Sequence, residues 1–332
     1  MRSPAIAEAA FDDAVARSTV TPSKSVHYAL LACCVVLLIF CVLAAPPGAM
    51  KTAQPLIITL MLLIGPLLVP AAMLHERKKA DRRDSVLMLP WTLLIALLIV
   101  QTAPTTATFA YPLRDSLWRS LDEHIGFNIP AIMAFARNHP VINSVFSYSY
   151  AFALHPLTFC AILLPPVLGQ KGPAQRFVLA NAFSFVLALP LMVFLPAVGP
   201  WSGWGFPPDR LQQSCQATIY ALRHGSLLIK DSFGGIVCMP SFHVFWAVIS
   251  AHALARIRFL RYPAVIAAGL ITVSTMTTGW HYGVDVIAGL LMAAVCTILA
   301  NSIIYGRFRL LHGGISQRQK SVQNAPAEGA SL

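Results

Sequence analysis

Two histidines and one aspartate in this chain have the spacing of a reaction centre. His281 and Asp285 stand four residues apart, on one face of any helix that holds both. A carboxylate so placed fixes one imidazole tautomer and leaves the other ring nitrogen as a nucleophile. The stretch that carries them runs from Cys238 to Asp285. It opens with Pro240-Ser241-Phe242-His243 and closes with His281-Tyr282-Gly283-Val284-Asp285. Two apolar segments lie between, about Val244 to Ile257 and Ala264 to Thr278, parted by a basic turn with Arg256, Arg258 and Arg261. Two helices joined by a short turn fold back, which returns His281 to the level of His243. A second imidazole across a cleft serves as general acid. The outline is that of phosphoryl or acyl transfer. The His281–Asp285 pair has no third metal ligand placed by the sequence, so no metal is expected. No Gly-rich phosphate loop or dinucleotide fingerprint is present, so no cofactor is expected either.

The elements that position these residues are membrane helices. Of 332 residues, 57% are hydrophobic and only 11% charged, against about 25% charged in soluble domains. The expected fold is all-α, a polytopic bundle of about eight transmembrane helices. The apolar runs lie near 27–45, 52–74, 86–108, 146–168, 176–198, 240–257, 262–279 and 283–305. The net charge of +11 does not argue for nucleic acid, because the basic residues cluster between apolar runs.

Those clusters set the orientation. One set of alternate segments carries 17 Lys and Arg residues and the other 7. The richer set holds both termini, which places them in the cytoplasm and turns His243, His281 and Asp285 outward. The division is then a cytoplasmic tail (1–26), three N-terminal spans (27–110), an outer segment (111–145), a catalytic core (146–305) with an outer loop at 199–239, and a disordered cytoplasmic tail (306–332). The tail at 1–26 contains Glu8, Asp12 and Asp13 and does not read as a signal peptide.

In the outer segment Leu117, Trp118, Leu121, Ile125 and Phe127 alternate with Arg114, Asp115, Arg119, Asp122 and Glu123. This suits an amphipathic helix on the membrane surface, or one capping the bundle. In the outer loop, the tryptophans of Gly199-Pro200-Trp201-Ser202-Gly203-Trp204 mark an interface or line a lipid access cleft. Cys215 and Cys238 share that loop and are either free thiols or a disulfide. His155, beside Pro156, is expected to satisfy carbonyls freed by the proline, and His252 to pack.

Pro240-Ser241-Phe242-His243 resembles the Pro-Ser-x-His signature of the type 2 phosphatidic acid phosphatase superfamily. Ser274 to Asp285 resembles its Ser-Arg-x5-His-x3-Asp signature. The resemblance covers roughly 140–305 and implies a six-helix core, with the first three runs outside it. It implies that His281 attacks phosphorus to form a phosphohistidine, Asp285 orients it, and His243 protonates the leaving lipid oxygen. Ser241, nearby amides and Ser274 would belong to the phosphate site. Two departures stand out. Thr275 replaces the arginine, and the chain has no Arg-Pro dipeptide, so the Lys-x6-Arg-Pro signature is absent. Arg223 and Lys230, just before Pro240, are candidate replacements for the missing cations. Ser274-Thr275-Met276 and Gly199-Pro200-Trp201 are similar to segments of the inositol phosphorylceramide synthase branch, which transfers headgroups.

The expected activity is therefore lipid phosphatase, on a lipid phosphate substrate among membrane lipids, at the periplasmic face of a bacterial inner membrane. Headgroup phosphotransfer is the second reading. A transporter or flippase and a non-catalytic phospholipid binder are the rivals from other classes. Transport sites lie at the midplane, whereas these polar residues gather at one face.

Overall fold

The computed structural model describes residues 24–44, 80–225 and 236–306. The run at 52–74, Lys230 and nearly all of both tails lie outside the described residues. In chain order the helices are α1 (Lys24–Ala44), α2 (Ala80–Val86), α3 (Met88–Ala107), α4 (Asp115–His124), α5 (Ile129–Arg137), α6 (Pro140–Tyr148), a π-turn (Ser149–Ala153), α7 (Leu154–Val167), α8 (Lys171–Phe194), α9 (Pro200–Trp204), α10 (Arg210–Arg223), α11 (Phe242–Leu254), α12 (Arg261–Thr277) and α13 (Gly283–Tyr305). Among the described residues there is no strand.

Among the described residues, five stretches are long and apolar enough to cross a membrane: Lys24–Ala44, Arg83–Ala107, Pro140–Val167, Lys171–Phe194 and Gly283–Tyr305. The chain is thus an all-α polytopic membrane bundle. The runs expected at 240–257 and 262–279 form the shorter helices α11 and α12, of 13 and 17 residues. They pack on each other as the fold-back required by the two motifs. The run expected at 146–168 belongs to a longer path. Pro140 opens α6, where its missing amide costs nothing. Pro156 removes the amide that would close onto Phe152, and the backbone just ahead of it widens into the π-turn. His155 lines an apolar cavity of about 690 Å³ between α3, α7, α8 and α11.

The centre of the bundle is α8, which contacts α1, α3, α7, α11 and α13. Ala174, Ala180, Ala182 and Ala188 on it, and Ala247, Ala251 and Ala253 on α11, are buried. Such small residues let helices approach closely where lipid supplies no hydrophobic drive. Polar ties join α11 to α8 and to α7. The Trp246 indole donates to Asn181 Oδ1 at 2.8 Å, and Ser250 donates to Thr158 Oγ1 at 3.4 Å.

The two ends of the bundle differ chemically. At one end Arg176 donates to Asn301 Oδ1 at 2.7 Å and Tyr305 Oη at 3.3 Å, and meets His252 Nε2 at 3.1 Å. His252 therefore has a polar partner and is not simply packed. Lys171 pairs with Asp84 at 2.8 Å in the same region. His243 and Asp285 sit at the starts of α11 and α13, the opposite end. The 23 residues of α13 separate these ends by about 34 Å, at about 1.5 Å per residue.

The outer segment departs from a single amphipathic helix. It holds α4, α5 and the start of α6. On α4 the buried stripe is Asp115, Trp118 and Asp122, while Leu117, Leu121 and Ile125 are exposed. The two acids face the protein, and the aliphatic residues face outward. The helix is thus both surface-facing and capping, with the polarity of its buried face reversed from the simple expectation.

Candidate active site

Helix α12 ends at Thr277, and the chain reverses through Gly279 at φ +74°. That left-handed turn favours glycine. A Cβ there would also lie 2.7 Å from the Met133 sulfur on α5. The Trp280 and His281 amides both donate to the Thr275 carbonyl, at 3.0 and 3.1 Å. The position where the family signature has arginine thus anchors the loop through its backbone. Its hydroxyl is spent on Thr272 O at 2.8 Å.

Next comes the start of α13. The first amides of a helix lack intrahelical acceptors. Here the missing acceptors come from two acids. Tyr282 N donates to Asp285 Oδ2 at 3.0 Å. Gly283 N and Val284 N donate to Asp122 at 3.0 and 2.8 Å. Asp115, two turns earlier on α4, accepts from Val198 N at 3.1 Å and Gly199 N at 3.0 Å. The Tyr282 hydroxyl lies 3.0 Å from Asp115 Oδ1 and 2.9 Å from Gly199 O and donates between them. Glycines permit the fit: a Cβ on Gly283 would collide with the Phe127 ring, and one on Gly203 with the Tyr282 hydroxyl. Burial raises both α4 acids, Asp122 to about 6, although its two amide donors oppose the shift.

The two motifs meet directly. Ser241 N donates to the Asp285 carbonyl at 3.1 Å. Gly289, one turn beyond Asp285 on α13, has no Cβ, and one would lie 2.6 Å from the Ser241 carbonyl. The His281 and His243 ring centroids are 5.6 Å apart, tilted by 60°. Tyr150 from the π-turn stacks on His243 at 4.8 Å and on Trp280 at 5.7 Å. Trp201 meets Trp280 edge-on at 5.6 Å.

His281 Nδ1 has two partners: the Cys238 carbonyl at 3.1 Å and Asp285 Oδ2 at 3.4 Å. With Nδ1 as donor, Nε2 keeps its lone pair. Cys238 also donates its thiol to Asp285 Oδ2 at 3.0 Å. Burial, then the nearby Asp285, pushes that thiol's pKa up. Asp285 Oδ1 has no hydrogen-bond partner.

His243, His281 and Asp285 are therefore brought together. Ser241 is beside them but buried, with its hydroxyl accepting from Val244 N at 3.4 Å as the α11 N-cap. Ser274 donates its hydroxyl to Ile271 O at 2.7 Å within its own helix. Arg223 donates to Ala110 O at 3.1 Å and Tyr111 O at 2.7 Å, and borders a small recess with Cys238 and Met239. Cys215 and Cys238 are not joined in a disulfide. Sequence reasoning missed Asp115, Asp122, Cys238 and Tyr150. The legible signal was two acids seven residues apart on the same stripe as Trp118.

A family model described as the PAP2 superfamily matches residues 115–299, more than half the chain. The match begins at Asp115 and ends within α13, so it contains α4 as well as both motifs. No curated protein and no solved structure matches the chain.

Proposed function

The chain belongs to the PAP2 superfamily, and from that premise we propose that it is a membrane-embedded lipid phosphatase working through a phosphohistidine at His281. Membership itself supports a phosphatase-like enzyme that cleaves phosphoesters. The observation that carries the finer reading is the setting of His281. Its Nδ1 lies against Cys238 O and Asp285, and the His243 ring is 5.6 Å away across the site.

In this reading Nε2 of His281 attacks phosphorus as the phosphorus–oxygen bond to the lipid breaks. His243, protonated when the phosphate's negative charge is beside it, gives that proton to the departing oxygen and is left as the neutral ring. Asp285 and the Cys238 carbonyl stabilise the positive charge that grows on the ring. The α11 first-turn amides of Phe242 and His243, ahead of the capped Val244 N, offer donors to the phosphate oxygens at the positive end of a helix. Water then attacks the phosphohistidine, and His243 takes up its proton. The Lys/Arg asymmetry and the separation of the basic end from the histidine end support an outward-facing site, which is periplasmic if the membrane is a bacterial inner one.

Headgroup phosphotransfer is the second reading, with a lipid alcohol replacing water. The packing of Gly199-Pro200-Trp201 against the catalytic loop favours it, because the resemblance to the transferase branch includes that segment. The test is to incubate the purified chain with phosphate-labelled lipid and separate the products. Free phosphate with an acid-labile protein phosphate supports the first reading. A new labelled phospholipid supports the second. Equal turnover by H281Q overturns both.

A further inference from the structure

Cys238, His281 and Asp285 place a thiol, an imidazole nitrogen and a carboxylate around one point. Sγ to Oδ2 is 3.0 Å and Nδ1 to Oδ2 is 3.4 Å. All three ligand atoms lie within 4.8 Å of one another. Adjacent donors on a tetrahedral zinc ion are about 3.3–3.8 Å apart, given bond lengths of about 2.0–2.3 Å. The second, independent sign is Asp285 Oδ1, a buried carboxylate oxygen with no donor facing it. A buried polar atom of this kind calls for a partner. The sequence supplied only two ligands here. The third, Cys238, comes from the loop ahead of the other motif.

We propose that these three residues bind a thiophilic divalent cation of the zinc type, and that the bound ion silences the enzyme. On binding, the thiol proton leaves to solvent and the sulfur–metal bond forms. The charges of thiolate and carboxylate then cancel those of the ion, which suits a buried site. The metal also takes the Nδ1 lone pair, so the ring proton resides on Nε2. The ring then has no lone pair left to offer phosphorus. The silencing rests on His281 being the nucleophile; the binding does not.

Cobalt titration of the purified full-length protein tests the site, because cobalt bound to a thiolate absorbs in the near ultraviolet. Wild type and C215S should each take one Co²⁺ with that band, and C238S should lack it. H281Q keeps the thiol and should bind Co²⁺ at least tenfold more weakly. No band in wild type, or an undiminished band in C238S, overturns the site. In the turnover assay Zn²⁺ should inhibit wild type, and a chelator should restore full rate. Loss of turnover in chelator overturns the silencing. Cobalt binding with no phosphoester turnover under any condition sinks the proposed function and leaves the metal site standing.

Discussion

The carboxylate of Asp122 holds the amide of Gly283 at 3.0 Å, across 161 positions of sequence. Through that bond the short helix α4 fixes the first turn of α13, and with it the angle between His281 and Asp285. We expect D122N to keep one acceptor oxygen and lose the other. kcat should fall about tenfold, as for one lost charged hydrogen bond of about 1.5 kcal/mol, with KM little changed. D122E should recover part of the loss. A rise in KM alone would place Asp122 in substrate binding instead.

Asp122 also sets a pH dependence of stability. Its pKa is raised from 3.8 to about 6, so the folded state holds that proton more tightly than the unfolded one. The associated stability is fully present below 3.8 and is lost as pH rises through about 6. The difference is on the order of 3 kcal/mol, at about 1.4 kcal/mol per pH unit. Asp115, also raised by burial, acts in the same sense. Melting temperatures in detergent should therefore fall from pH 4 to pH 7, and D122N should flatten part of that slope. An unchanged slope would show that Asp122 does not titrate in this range.

Asp285 is expected to be the most costly carboxylate to neutralise. D285N replaces an acceptor that serves Tyr282 N and the Cys238 thiol and lies 3.4 Å from His281 Nδ1. Single-turnover rates should drop by about 10²–10⁴, the usual worth of a positioned acid–base partner. A rate within threefold of wild type would assign the orientation of His281 to the Cys238 carbonyl alone.

Gly289 is a steric prediction. In G289A the new methyl lies 2.6 Å from the Ser241 carbonyl, so α13 and α11 must part at the level of the two histidines. We expect about 1–3 kcal/mol of destabilisation, the common cost of overpacking, and a loss of activity larger than the loss of folded protein. Activity in proportion to folded protein would show that the helix spacing is not critical to chemistry.

Arg223 is proposed as one replacement for the cations that the signatures lack. Its guanidinium ties down Ala110 and Tyr111 while bordering the recess beside Cys238. R223A should lower kcat/KM for a phosphorylated lipid about tenfold or more. R223K should restore much of it if charge matters, and little if the two carbonyl bonds matter. Turnover of R223A equal to wild type would remove Arg223 from the site.

The sequence made some parts of this centre readable and hid others for physical reasons. The motifs around His243 and His281 are local patterns, and the fold-back that joins them follows from two apolar runs and a basic turn. Helical class followed from apolar length. Asp115 and Asp122 looked like the wet side of an amphipathic helix, because periodicity reports a face but not what covers it. Their partners are backbone amides, which leave no trace in residue type. Cys238 acts partly through its carbonyl, which is equally silent. The thiol's neighbour, Asp285, is 47 positions away. Ser274 and Ser241 went the other way: motif residues whose hydroxyls are engaged by their own helices.

Helix α4 turns Leu117, Leu121 and Ile125 outward while its opposite side grips the start of α13. If these three side chains sit among lipid headgroups, as we propose, the depth of the helix there is coupled to the geometry around His281. Bilayer thickness and headgroup packing would then be variables of the proposed enzyme. A micelle that seats the helix too shallowly would lower turnover without unfolding a single span.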